Sequence, residues 1–172
     1  ARISPAAAVV FDVPSDEDTV MGARVYVAGG LSTDGRRFTS VESYDPPNDE
    51  WFECAPMQEA RSAAMAFSQG SKFYVVGGEN GDASADDDGI LRTMEVYDED
   101  LGSPHFEFGP PMPSPRCAAA SGMIDGKFYV AGGRGPQFEM LTSTVVFDVE
   151  TQERSHLAEM PEPGADGARA VV

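Results

Sequence analysis

The chain has 172 residues, of which 41% are hydrophobic, and 29 acidic residues against 12 basic ones give a formal net charge of −17. That composition supports a packed core and excludes a disordered tail. The surplus of negative charge repels polyanions, so nucleic acid is excluded as a partner, and no stretch approaches the ~20 apolar residues of a membrane-spanning helix, so no membrane insertion is expected. Two cysteines, Cys54 and Cys117, are too few for a disulfide framework and are expected to be reduced.

Taken in chain order, the first readable element is Ala6 to Val13, a short apolar strand that follows Arg2 and precedes an acidic loop, Pro14 to Gly22. Next comes Arg24 to Gly30, RVYVAGG, whose four apolar residues and two glycines predict a buried strand with an abrupt stop. The same heptad recurs as KFYVVGG at Lys72 to Gly78 and KFYVAGG at Lys127 to Gly133. Gly29 stands 48 residues before Gly77, and Gly77 stands 55 before Gly132. Self-similarity at such a period signals a repeat architecture in which these three heptads are the same inner strand of stacked sheets.

Aligned on Gly29-Gly30, Gly77-Gly78 and Gly132-Gly133, the rest falls into register. Tyr44, Tyr97 and Phe147 each end an alternating segment and are each followed by Asp, which predicts a third strand closed by a turn. Trp51 and Phe106 follow in a fourth strand, the second after an LGSP insertion, and Arg154 takes their place in the third repeat. Met57, Met112 and Met160 come next, and four residues beyond the first two stand Arg61 and Arg116; Arg169 follows Met160 at nine. Small apolar runs from Ser62 to Ser68 and from Cys117 to Ile124 are then first strands of new units. Each unit holds four short strands, which divides the chain at about 2–60, 61–115 and 116–168, with 169–172 opening a further unit.

Double glycine, aromatic with Asp, then Trp, Pro-Met and Arg at this period resembles the kelch repeat. The resemblance implies an all-β fold, a kelch-type β-propeller or part of one built from four-stranded antiparallel blades. Three blades do not close a ring, so their open faces call for further kelch blades, a second copy of the chain or another subunit. The glycines are expected to admit close backbone approach, with Tyr and Trp covering the surface they leave bare. Glu42 and Glu95 are expected to pair with the arginines of the Met-x-x-x-Arg segments, Arg61 and Arg116. Val145 replaces the glutamate in the third repeat.

Nucleophilic catalysis needs a base beside Ser or Cys, and the only two histidines, His105 in a turn and His156 at a fourth strand, fall in separate repeats, so neither is an obvious partner. Asp82, Asp86, Asp87 and Asp88 lack the alternating ligand spacing of a calcium loop, and no cofactor or metal is expected. The loops after the double glycines vary most, which points to partner binding through Leu31, Arg36, Arg37, Glu79, Asp86, Asp87, Asp88, Arg134 and Gln137. In peptide-binding relatives, the resemblance implies, arginines stand just after the double glycine and two residues beyond the blade-opening arginine. Here Leu31, Glu79 and Arg134 hold the first position and Ala63 and Ala118 the second, so only Arg134 matches.

The reading is a non-enzymatic, cytoplasmic protein-interaction module, with substrate recruitment for a ubiquitin ligase as one role the resemblance implies. Two alternatives stand beside it: a structural subunit buried in a larger assembly, and a propeller enzyme acting on a sugar or small metabolite, which would need a deep axial pocket with converging polar groups.

Overall fold

The computed structural model describes residues 2–11, 23–100 and 105–163. The acidic loop 14–22, the LGSP insertion at 101–104, and Arg169 with the 169–172 segment lie outside the described residues.

Among the described residues twelve strands form three four-stranded antiparallel sheets, each a simple meander. The first contains β1 (Ala6–Phe11), β2 (Ala23–Ala28), β3 (Val41–Asp45) and β4 (Glu50–Cys54). The second contains β5 (Met65–Gln69), β6 (Lys72–Val76), β7 (Met94–Asp98) and β8 (Phe106–Gly109). The third contains β9 (Ala120–Ile124), β10 (Lys127–Ala131), β11 (Thr144–Asp148) and β12 (Arg154–His156). The repeated heptads supply β2, β6 and β10, second in their sheets and paired on both sides. The strands that lie beside one another from sheet to sheet are the small-residue ones, β1 with β5 and β5 with β9.

Register explains two features of the repeat. Lys72 sits opposite Asp98 and Lys127 opposite Asp148, with ion pairs of 3.4 and 3.2 Å, so the basic residue that opens the heptad meets the Asp that follows the aromatic. Asp148 also accepts the N–H groups of Glu150 and Thr151, the turn role expected of it. In the first sheet Arg24 turns instead to Glu99 of the second, at 3.7 Å, and lies over Phe52.

Because side chains alternate across a strand, β6 divides its apolar residues between two neighbours. Phe73 and Val75 enter a core with Tyr26, Ala28 and Val41 of the first sheet, and Tyr26 stacks on Phe73 at 5.2 Å. Tyr74 and Val76 enter a second core with Phe128, Val130 and Phe147 of the third, where Phe67 stacks on Phe128 at 4.1 Å. Every residue of β6 after Lys72 is therefore buried. In β2 and β10 only alternate residues are, and Val25, Val27, Tyr129 and Ala131 stay half-buried on the outer faces of the array. The open blade faces inferred from the repeat count are these.

A repeated clasp locks each sheet to the next. The Arg61 guanidinium donates to the carbonyls of Gly77 and Thr93, and Arg116 donates to those of Gly132 and Ser143. Their own backbone carbonyls accept the N–H groups of Gly30 and Gly78 from the preceding sheet. A side chain at Gly77, where φ is +64°, would sit 2.5 Å from the Arg116 carbonyl oxygen. Glycine is required there for close approach, and the neighbours that fill the space are this carbonyl and the Met112 methyl, not the Tyr and Trp expected to cover it. Tyr44 and Trp51 instead pair with each other at 5.2 Å on the first sheet's outer side. Two residues past each opening arginine, Ser4, Ala63 and Ala118 adopt φ of 49°, 51° and 53°. The amide of Ala63 donates to Ser4 and that of Ala118 to Ala63, which runs a backbone chain across all three sheets and delays β5 and β9 past the expected Ser62 and Cys117.

The expected glutamate–arginine pairing holds for one of the two arginines. Arg61 meets Glu95 at 2.6 Å with both side chains fully buried, whereas Glu42 pairs with Arg2 at 2.6 Å. Among the described residues Arg116 meets no carboxylate within ion-pair distance, because Val145 stands at the glutamate position, and the hydroxyls of Ser114 and Ser143 accept from it instead. Burial pushes the Arg116 guanidinium below its ordinary range. Removing one partner of a fully buried pair strands the other charge, so Glu95→Ala is expected to lower stability by about 3–5 kcal/mol in urea unfolding. Glu42→Ala, at a half-exposed pair, should cost no more than about 1 kcal/mol in the same measurement.

Candidate interaction rim

The residue after each double glycine is drawn to one end of the three sheets by a pair of isolated bridges. Leu31 bridges Ile3 and Arg37, Glu79 bridges Ser62 and Ile90, and Arg134 bridges Cys117 and Met140. The strands arrive at this end from Lys72 and Lys127 at the other, so all the post-glycine loops crowd the same rim.

Glu79 is the hub. Arg37 of the first sheet donates to its Oε1 at 2.9 Å, Arg134 of the third lies 3.5 Å from its Oε2, and the Ser62 hydroxyl donates at 3.1 Å. Arg134 also donates to Cys117 Sγ at 3.6 Å. One carboxylate thus ties loops from three sheets. The Arg37 guanidinium lies against Gly81, whose φ of +82° at the start of the acidic loop favours glycine.

Around this hub the loops carry charge outward. Arg36 is exposed and stacks over Phe38 at 5.4 Å. The Ser32 hydroxyl and the Arg36 backbone hold Asp34 below the usual carboxylate range, and Ser84 does the same for Asp82, so both are anions at neutral pH. Asp86 is exposed, Asp87 is half-buried, and Asp88 accepts the Gln137 amide at 2.8 Å, joining the second and third loops. That bond secures a short 3₁₀ turn, Pro136–Phe138, in which Gln137 and Phe138 have φ of 58° and 61°. Two consecutive left-handed residues without glycine are costly unless their surroundings enforce them. The result is Phe138 held 66% exposed beneath the Arg134 guanidinium, 5.2 Å from its ring centre.

The residues singled out from the sequence, Leu31, Arg36, Arg37, Glu79, Asp86, Asp87, Asp88, Arg134 and Gln137, are therefore gathered at one end. Arg37, Glu79 and Arg134 build the carboxylate hub, Leu31 bridges Ile3 and Arg37, and Arg36 and Asp86 face solvent. Phe138 was not among them. Its only signal was the segment Gly135-Pro136-Gln137, whose turn chemistry does not say which way the next ring points.

Elsewhere, His105 is exposed with Glu107 at 3.1 Å, and His156 is exposed in β12. Among the described residues no group of three or more His, Cys, Asp or Glu side chains is placed to hold a metal, and both cysteines are free thiols. A cavity between the second and third sheets is lined by Val76, Met94, Pro113, Phe128, Val145 and Phe147, with Arg154 at its edge. It lies among second and third strands, away from β5 and β9, and is apolar in character.

Three twisted meanders stacked face to face, with loops of one kind at one end, define a partial β-propeller of kelch type. The family model described as the Kelch motif matches residues 19–58 and 115–161, half of the chain, and the chain belongs to the kelch-repeat family. The middle sheet lies between those matches and repeats their strand order. The chain is 27% identical to human Kelch-like protein 33 over 78% of its length and 29% identical to Beta-scruin of Limulus polyphemus over 76%. It is 31% identical to human Kelch repeat and BTB domain-containing protein 12 over 64%. It spans only 24%, 14% and 20% of those proteins. The solved structure of YjhT superposes on 95% of this chain and 68% of its own with a TM-score of 0.69 at 14% identity, a likeness of fold.

The Arg37–Glu79 contact is partly screened by solvent. A double-mutant cycle of Arg37→Ala and Glu79→Ala should return a coupling on the order of 1 kcal/mol that shrinks as salt is raised. A coupling unchanged by salt would show that the clasp is not electrostatic.

Proposed function

We propose that this chain is a non-catalytic protein-interaction module that engages a partner protein through the rim of post-glycine loops. The observation that carries the reading is the exposed Phe138 ring, fixed by Arg134 and by the Asp88–Gln137 bond on a loop whose charged residues are Arg134 and Glu139. An aromatic side chain preorganised at a surface loses little entropy on binding and is the residue type that dominates interfaces. The acidic residues beside it, Asp86 to Asp88 and Glu139, favour a basic or neutral partner over an acidic one. Substrate recruitment for a ubiquitin ligase, in the cytoplasm, is the family role that such a rim would serve. No helix among the described residues is long and apolar enough to cross a membrane.

A second reading is favoured by the half-buried Val25, Val27, Tyr129 and Ala131 on the outer faces: a structural unit enclosed by neighbours. An enzyme would need polar groups converging in a pocket, and the apolar lining of the cavity speaks against it.

A photo-crosslinking amino acid placed at position 138 should capture a protein from cell extract, whereas one at position 127, on the opposite end, should not. Phe138→Ala should reduce that protein's recovery about tenfold or more, as expected of a hot-spot aromatic. Equal capture from both positions would reject the rim as the binding surface.

A further inference from the structure

The two interfaces inside the chain differ at one point in a way that assigns a role to the open ones. At the first, the buried Glu95 carboxylate accepts the backbone N–H of Gln58 at 2.6 Å and of Glu59 at 3.1 Å. Those amides belong to the turn after Met57 that closes the first sheet, so a carboxylate on one sheet holds the turn of its neighbour. At the second interface the turn reads Met112-Pro113-Ser114, and proline has no N–H to give. The facing position is Val145, which has nothing to accept with, and Pro113 and Val145 line the same apolar cavity. The closer of the two donors has disappeared together with its acceptor, and of the pair only the counterpart of the longer Glu59 bond, the Ser114 N–H, is kept.

The open faces are not matched in this way. Glu42, in register with Val27 on the first sheet's outer side, is the counterpart of Glu95, yet its side chain is 41% exposed and its one partner among the described residues is Arg2. At the far end, the turn that would follow the third sheet reads Met160-Pro161-Glu162, with an exposed proline where Gln58 stands in the first. A carboxylate built to accept two turn amides would meet a turn that keeps only the Glu162 N–H and lacks the counterpart of the closer Gln58 donor.

We propose that Glu42 is a docking socket for the backbone N–H groups of a turn from another sheet of this kind, one whose closing Met is followed by a residue other than proline. The closing turn of this chain's own third sheet is a poorer match, because Pro161 stands where Gln58 stands in the first. The inference does not depend on what the rim binds.

Sedimentation velocity on the full chain tests it through a cycle of matched and mismatched ends. Pro161→Gln supplies the missing donor to Glu42, and Glu42→Val removes the acceptor that Pro161 leaves unfilled. Each single change should tighten head-to-tail self-association by ~10-fold or more, the size of one hydrogen bond to a charged group. The double variant Glu42→Val with Pro161→Gln is mismatched again and should return to within about threefold of the parent. The same code is read inside one molecule by urea unfolding: Val145→Glu alone should lower the midpoint, and adding Pro113→Gln should recover at least about half of the loss. A parent that associates as tightly as the single variants, two single variants that both stay monomeric, a double variant as sticky as Glu42→Val alone, or no recovery from Pro113→Gln would each overturn the assignment.

Discussion

The constraint on which this architecture rests is that each sheet is apolar on both faces and so is stable only between two others. Four consecutive buried residues in β6, Phe73 to Val76, send alternate side chains into two separate cores. At ~25 cal/mol per Å² of apolar surface, it is this two-sided burial, far more than any polar contact, that holds the array together. The same alternation in β2 and β10 leaves Val25, Val27, Tyr129 and Ala131 half covered, so the ends of the array ask for neighbours by the physics that binds its middle.

Apolar stacking alone would let sheets slide, and the polar clasps remove that freedom. Each opening arginine uses its side chain to hold the glycine carbonyl of its own sheet and its backbone carbonyl to hold the next glycine of the sheet before. Arg61 adds Glu95 and its two turn amides, whereas Arg116 makes do with hydroxyls. Buried ion pairs contribute little net stability but are costly to leave half made, which suits them to setting register. That the clasp survives both with the carboxylate and without it indicates that its invariant part is the arginine-to-glycine contact.

The loops at the rim are placed by the same geometry. The glycines that permit close approach also turn the chain outward at one end, so the loops after them share a rim and Glu79 can reach arginines from two other sheets. A rim built on stacked sheets is a rigid support for variable loops, and its exposed Phe138 owes its position to a left-handed turn that a neighbouring loop enforces.

Repeats, strand order, the turn role of Asp148 and the grouping of the post-glycine loops were legible in the sequence, because they follow from local periodicity and from register between like segments. What filled the space beside Gly77, which carboxylate Arg61 would find, and why Arg116 finds none were not, because each depends on an atom from a different sheet. The sequence by itself determined that there are three copies of one four-stranded unit, since a strand's alternation and a glycine's permissiveness are properties of a few adjacent residues. Only the tertiary structure decided that Glu95 takes two turn amides beside Arg61 while Glu42, among the described residues, takes Arg2 alone, and that Phe138 stands in solvent, because those outcomes turn on which backbone a neighbouring sheet brings within hydrogen-bond reach.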